Sequence, residues 1–336
     1  MAGGLHFIQM LNDSLNLRDG WIRNLLLTTG FSIGTLFCVK FALQSRRGKC
    51  KNNVLLEGKT CIITGANSGI GKAVAMELAR RRARVIMACR DVQRANQVAD
   101  EIRSKHPEAD LKVMSLDLAE LQSVRHFASE VTSSEGRVDI LINNAGIFQC
   151  PFMLSQDGVE LQFAVNHLGH FLLTNLLLNN IEHVEDGRII VVSSGLYKHA
   201  SMDLVNYNQE TAYTPQLAFS RSKLANIMFT NELAKRVRPG VSVNSLCPNK
   251  ARTNVGRYQL KYFVHQCLLN MVAFFLVRSA QEAAETVIYM ATEPSLKGVS
   301  GKYFKDCKEK ELHENAKDTK VAEKLWELSE KLTGLS

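Results

Sequence analysis

Thr64-Gly65-Ala66-Asn67-Ser68-Gly69-Ile70-Gly71 (TGANSGIG) lies between two short segments of different periodicity, and its reading decides the fold. Upstream, residues 59–64 (KTCIIT) form a brief apolar run that predicts a buried strand. Downstream, residues 72–81 (KAVAMELARR) repeat apolar positions at helical spacing. A glycine turn joining strand to helix is suited to a pyrophosphate. Gly65 permits the tight turn, Gly69 lets the backbone approach the anion, and Gly71 lets the helix lie close to the strand. The start of the helix then offers unpaired N–H groups to phosphate oxygens. Asn67, Ser68 and Ile70 complete this cofactor-binding turn.

A glycine triplet alone says little, so its surroundings carry the argument. Strand-like runs recur at 84–90 (RVIMACR), 111–118 (LKVMSLDL), 138–146 (VDILINNAG), 187–194 (GRIIVVSS) and 241–248 (VSVNSLCP). Helical patterns fill 91–105 and the stretch following strand three to about Val131. Continuous apolar strands alternating with helices predict an α/β fold, a single Rossmann-type doubly wound parallel sheet covered on both faces. A last helix, 317–332, places Val321, Leu325, Leu328 and Leu332 on one packing face.

The end of the second strand discriminates between the nicotinamide cofactors. A carboxylate there holds the ribose hydroxyls of NAD and repels the extra phosphate of NADP. Here the strand ends Cys89-Arg90, and Lys72 follows the glycine turn, so both cations favour NADP(H). Asp91, one residue later, pulls the other way.

The net charge of +8 is concentrated partly in Arg46, Arg47, Lys49 and Lys51. No basic stripe interleaved with aromatics occurs elsewhere, which argues against nucleic acid. The eight cysteines are scattered without a CxxC pair, as expected of reduced thiols in a domain facing the cytosol. No clustered metal ligands appear; His167 and His170 share a helix face but lack a third partner. The uncharged run 25–39, extended to Leu43 by a snorkelling Lys40, approaches the length that spans a bilayer. The basic residues on its C-terminal side place residues 46 onward in the cytosol. The chain therefore divides into an N-terminal segment (1–24), a membrane-anchor helix (25–43), a basic linker (44–54) and a main domain (55–334). The apolar segment 258–277 is either a packing helix or a lid over a lipophilic pocket.

The set TGANSGIG, NNAG (143–146), VNHLGHF (165–171), VVSS (191–194) and the helix carrying Lys223 resembles the short-chain dehydrogenases/reductases in order and spacing over residues 55–334. ILINNAGIFQCPF and LQFAVNHLGHFLLTNLLL look like the retinol dehydrogenase 11–14 group. That resemblance implies a membrane-anchored, NADP(H)-preferring enzyme acting on a retinoid or other lipophilic alcohol or aldehyde. It also implies residence in the endoplasmic reticulum or, alternatively, a mitochondrial membrane, and a possible homodimer. By the same resemblance Asp117 contacts adenine, Asn143 and Ala145 line the cofactor, and Asn166 holds a relay water. Ser194 meets the substrate oxygen, Lys223 binds the nicotinamide ribose, and Pro248 and Thr253 contact the nicotinamide end.

Two positions depart from the pattern. The family places a tyrosine, its general acid/base, four residues before the lysine; this chain has Phe219. After the sixth strand, Asn249 follows Pro248 where the family has glycine. The phosphate end is kept while the reacting end has lost its acid. Two functions therefore stay open: an oxidoreductase slowed by a substitute donor, or a cofactor- or lipid-binding partner protein without turnover. A scaffold that needs no nucleotide is disfavoured by the intact glycine turn. Ser220, Tyr197, Tyr213 and Ser194 are the candidate substitute donors.

Overall fold

The structure, a computed structural model, describes residues 47–248 and 278–335. The expected anchor 25–43, the segment 258–277, Asn249 and Thr253 lie outside the described residues. Among those described, no helix is long and apolar enough to cross a membrane.

Strands β1 (Thr60–Thr64), β2 (Arg84–Cys89) and β3 (Leu111–Ser115) alternate with helices α1 (Gly69–Arg80), α2 (Val92–Lys105) and α3 (Leu121–Glu135). Then come β4 (Ile140–Asn143), α4 (Gly169–Glu182), β5 (Gly187–Val192), α5 (Pro215–Arg236) and β6 (Val241–Cys247). The described chain closes with α6 (Ala280–Thr292), β7 (Tyr303–Lys305), β8 (Lys308–Glu309) and α7 (Thr319–Thr333). The sheet runs β3-β2-β1-β4-β5-β6-β7-β8. All neighbours are parallel except the β7–β8 pair. Strand order reverses between β1 and β4, and ligands of open α/β sheets bind in the crevice at such a switch point.

The two-residue period of a strand builds both layers of the core. Cys61 and Ile63 pack with α1, α2 and α6 side chains such as Val74, Ala99 and Val287. Ile62, between them, packs on the opposite face with Phe127, Phe171 and Trp326. In α1 the buried residues Gly71, Val74, Ala75, Leu78 and Ala79 follow helical spacing, as the sequence predicts.

The tail helix is rotated from its expected face. Its buried residues are Ala322, Leu325, Trp326, Ser329 and Thr333. Trp326 takes the central place, 4.9 Å from the Phe171 ring and 5.9 Å from that of Phe229. A large indole excludes more water than a leucine and so fixes the rotation. Val321 and Leu332 pack only at the margin.

Helix α4 is preceded by a short turn (Leu161–Phe163) and a π-helical stretch (Ala164–Leu168). Such a widened turn inserts a residue into the helical register, and it is common at functional sites. Here it holds Asn166 and His167 wholly inside.

Candidate active site

The cofactor end starts at the carboxyl edge of β1. Gly65 and Gly69 have φ of 69° and 53°, left-handed values that glycine adopts without strain. A Cβ on Gly71 would overlap the Gly65 carbonyl oxygen, so helix and turn touch through bare backbone. Ser68 occupies the N-cap of α1 yet makes no side-chain cap bond, leaving the first N–H groups of the helix to an anion. Adding one methyl at Gly71 forces turn and helix apart. Gly71→Ala is expected to lose about 1–3 kcal/mol of stability together with NADPH affinity. Thermal unfolding alongside a fluorescence titration checks both, and unchanged values in the two would refute the close-contact account.

The cations at this end behave differently from one another. Arg90 is 63% exposed, reaching Asp117 only at 3.8 Å, and stands at the end of β2 where an extra phosphate would sit. Lys72, expected to join it, instead bonds Glu101 of α2 at 2.5 Å. Asp91 is used locally. Its Oδ1 accepts the Arg94 N–H at 2.9 Å and caps α2, so it does not reach toward a ribose. Asp117 turns Oδ1 to the Ala119 N–H at 2.9 Å.

A polar seam ties this end to the centre of the crevice. The Thr64 hydroxyl accepts the N–H groups of Asn144 and Ala145, both at 2.9 Å. It lies 2.9 Å from His170 Nε2, and His170 Nδ1 lies 3.1 Å from the Asn166 carbonyl. A carbonyl only accepts, so Nδ1 carries the hydrogen and Nε2 accepts from Thr64, an assignment that follows from the network. Burial pushes the His170 pKa down to about 3, and the ring stays neutral. Asn144 Nδ2 donates to the Thr64 carbonyl at 2.8 Å, closing the seam between the glycine turn and NNAG. His167 takes a different partner, Ser329 of α7, at 2.9 Å. Among the described residues no cluster suited to a metal occurs.

At the reacting end, Asn166 clamps residue 147 twice. Its Oδ1 accepts the Ile147 N–H at 2.8 Å and its Nδ2 donates to the Ile147 carbonyl at 3.0 Å. The same Nδ2 lies 2.9 Å from Ser222 Oγ, whose hydrogen goes to the Phe219 carbonyl. Ser193 Oγ donates to the Lys223 carbonyl, fixing α5 to the end of β5. Lys223 Nζ donates to the Val192 carbonyl at 3.0 Å and stands 5.8 Å from the centre of the Phe219 ring. Burial alone lowers its pKa to about 8. Phe219 meets Phe148 edge-on, with ring centres 4.6 Å apart. Ser194 Oγ accepts the Leu196 N–H at 3.3 Å, which leaves its own hydrogen for a ligand oxygen.

Of the other candidate donors, Ser220 and Tyr213 already donate to backbone carbonyls, and Tyr197 is held inside the fold. Ser220 bonds back to the Gln216 carbonyl at 2.8 Å. Tyr213 donates to the Cys150 carbonyl and accepts from Gln162 Nε2, and burial drives its pKa up. Tyr197 is fully buried, with its hydroxyl accepting the His313 N–H at 3.0 Å.

A family of sequences described as short chain dehydrogenase matches residues 59–261. The chain belongs to that family. It is 49% identical to human retinol dehydrogenase 14 over 84% of this chain and 88% of the relative. Human retinol dehydrogenase 13 is 43% identical, over 86% and 88% respectively. Among solved structures, a functionally uncharacterised protein from Mycobacterium paratuberculosis is 34% identical with a TM-score of 0.68, covering 86% of this chain and 98% of its own. A chain from Shigella flexneri crystallised with NADP shares the fold at 20% identity and a TM-score of 0.59, covering 76% and 99%.

In this short chain dehydrogenase the positions foreseen from sequence gather at the carboxyl edge of the sheet, with qualifications. Gly65, Asn67, Ser68, Gly69, Ile70 and Gly71 form the turn into α1. Asn143, expected to line the cofactor, is buried at the end of β4, with Nδ2 donating to Thr174 Oγ1 at 2.8 Å. Ala145 sits against Gly65. Pro248 is buried at the end of β6. The contacts Thr64–His170, Asn166–Ser222 and Phe148–Phe219 were missed, because each joins positions far apart in sequence. Of the six described cysteines, Cys61, Cys89, Cys150 and Cys247 are buried as small side chains.

Proposed function

We propose that this chain is a membrane-anchored protein that binds NADP(H) and a retinoid or related lipophilic aldehyde or alcohol, with hydride transfer slowed by Phe219. The observation that carries the reading is the surroundings of Lys223, where residue 219 is a phenylalanine, Ser220 and Tyr213 already donate to backbone carbonyls, and Tyr197 is buried against His313. Support for the cofactor comes from the uncapped start of α1, the exposed Arg90 and a structural neighbour crystallised with NADP. Support for the ligand class comes from relatives described as retinol dehydrogenases. The apolar run 25–43 supports the anchor, with the domain facing the cytosol from the endoplasmic reticulum or, alternatively, a mitochondrial membrane.

Bound in the crevice, NADP(H) supplies or accepts the hydride. The protein's part is to hold the pyrophosphate on α1, the extra phosphate on Arg90 and the ribose on Lys223. Ser194 donates a hydrogen bond to the ligand oxygen. That bond stabilises developing negative charge, but among the described residues no phenol is hydrogen-bonded to the hydroxyl to pass it a proton. Asn166 shapes the crevice by fixing residue 147, while its carbonyl accepts from His170. The limiting form of this reading, a binding protein without turnover, is favoured by the same lack of an acid.

The full chain in detergent, titrated with NADPH, NADH and all-trans-retinaldehyde and assayed for NADPH oxidation, tests the proposal. Tight NADPH binding with little turnover is the expected result. No nucleotide binding would remove the proposal, and rapid turnover would remove the impairment. Arg90→Glu is expected to lower NADPH affinity by roughly 10–100-fold, as loss of a charge-assisted bond implies, and to leave NADH nearly unaffected. Equal losses for both nucleotides would show that Arg90 has a structural part instead.

A further inference from the structure

We propose that Lys223 is a nucleophile that captures the lipophilic aldehyde of this crevice as a reversible imine. The proposal rests on the aldehyde-binding reading above. It concerns what the buried amine does when residue 219 is phenylalanine.

The surroundings of Nζ are those of an amine rather than of an ion-paired ammonium. Its hydrogen-bond partner is a neutral carbonyl, Val192, at 3.0 Å. Among the described residues no carboxylate forms an ion pair with it. The ring of Phe219, 5.8 Å away, carries no hydroxyl to claim its lone pair. On another side lies Gly146 at the end of NNAG, where a Cβ would sit 3.5 Å from Nζ. The amine therefore borders bare backbone between the ends of β4 and β5. Desolvated lysines beside apolar side chains serve as Schiff-base formers for this reason. With its pKa lowered to about 8 by burial, Lys223 keeps an appreciable uncharged fraction at neutral pH. That fraction is roughly a tenth, against less than about a thousandth for a solvated lysine.

The step balances without an oxidant. The Nζ lone pair attacks the carbonyl carbon, and the nitrogen loses a proton as the oxygen gains one, giving a carbinolamine. Expulsion of water then forms the C=N bond, and water returning to the imine releases the aldehyde. The crevice would thus store a reactive aldehyde covalently while carrying out no redox chemistry on it. Nicotinamide ribose and imine would compete for one nitrogen.

The test exposes the full chain in detergent to all-trans-retinaldehyde with sodium cyanoborohydride, which reduces an imine to a stable amine. Intact mass and peptide mapping then locate the adduct. Labelling of Lys223 roughly tenfold or more faster than of any surface lysine is expected, the gain in uncharged fraction less the lower nucleophilicity of a less basic amine. The labelling rate should climb as pH rises through about 8. NADPH should slow it, and Lys223→Met should abolish the fast adduct. Adducts spread over surface lysines with Lys223 unmodified overturn the proposal, and the mapping of unmutated chain needs no variant to show it. Retinol, which cannot form an imine, serves as the binding control through quenching of protein fluorescence. Retinol binding without a Lys223 adduct overturns the imine and leaves the ligand reading standing, whereas failure of both retinoids to bind removes both.

Discussion

Replacing Phe219 by tyrosine raises NADPH-dependent reduction of retinaldehyde by about 10²–10⁴-fold, the range that a positioned general acid contributes. Residues 219 and 223 are one helical turn apart on α5, so a phenol at 219 and the amine at 223 stand side by side. The lysine then assists the phenol twice. Its positive charge favours phenolate, and it offers a donor to the oxygen after the proton has gone. Phe219 is only 7% exposed and is held edge-on by Phe148, so the new ring takes up an orientation that packing already defines. NADPH affinity should stay within about twofold, because this substitution touches no phosphate contact and a group acting only in the transition state changes kcat alone. Steady-state rates with single-turnover controls make the measurement. A variant that binds NADPH and retinaldehyde yet stays inert would show that the missing hydroxyl alone does not limit the chemistry. A wild-type chain already as fast as its variant would point to Ser194 as the working donor.

How much of this was legible in the sequence depends on the range of each interaction. The glycine turn and the strands up to β6 depend on local period and turn chemistry, and they stand within a few residues of their predicted bounds. β7 and β8 went unseen. They are three and two residues long, and the turn between them uses Asp306 and Cys307 at φ of 56° and 54° in place of glycine. The Lys72–Glu101 ion pair was likewise not legible, since Glu101 lies 29 residues away on the next helix. Asp91 was readable: an aspartate three residues before a backbone donor at a helix start is a capping signal. Its place at the end of β2 suggests a ribose ligand instead, and the cap wins. The Thr64–His170 bond, spanning 106 residues, has no local signature at all. It needs the switch point to bring β1 against α4. Phe219 shows the reverse case. Its chemical deficit is visible from one letter, but whether a neighbour compensates is a question only of where Ser220, Tyr197 and Tyr213 point.

Lys223→Met is expected to stabilise the free chain at pH 7 by up to about 3 kcal/mol, the equivalent of a lysine pKa lowered from its ordinary value to about 8. The sign comes from proton binding. Between about pH 8 and the ordinary lysine value the unfolded chain holds a proton on residue 223 that the folded chain has released. Stability of the wild type therefore rises with pH through that window, relative to the variant, and below about 8 the penalty is constant. Buried cysteines and tyrosines titrate in the same region, but they are common to both chains and cancel in the difference. Methionine nearly matches the volume of the lysine stem, so packing is kept, while loss of the bond to Val192 returns about 1 kcal/mol. For a domain of this size the remaining gain corresponds to a rise of several degrees in Tm, roughly 2–4 °C per kcal/mol. Saturating NADPH should narrow or invert the gap, since a ligand that binds only the folded chain, and does so through Nζ, stabilises the wild type more. A pH-independent difference would mean that the amine is solvated and carries no burial penalty. A gap that NADPH leaves untouched would mean that Lys223 does not hold the ribose.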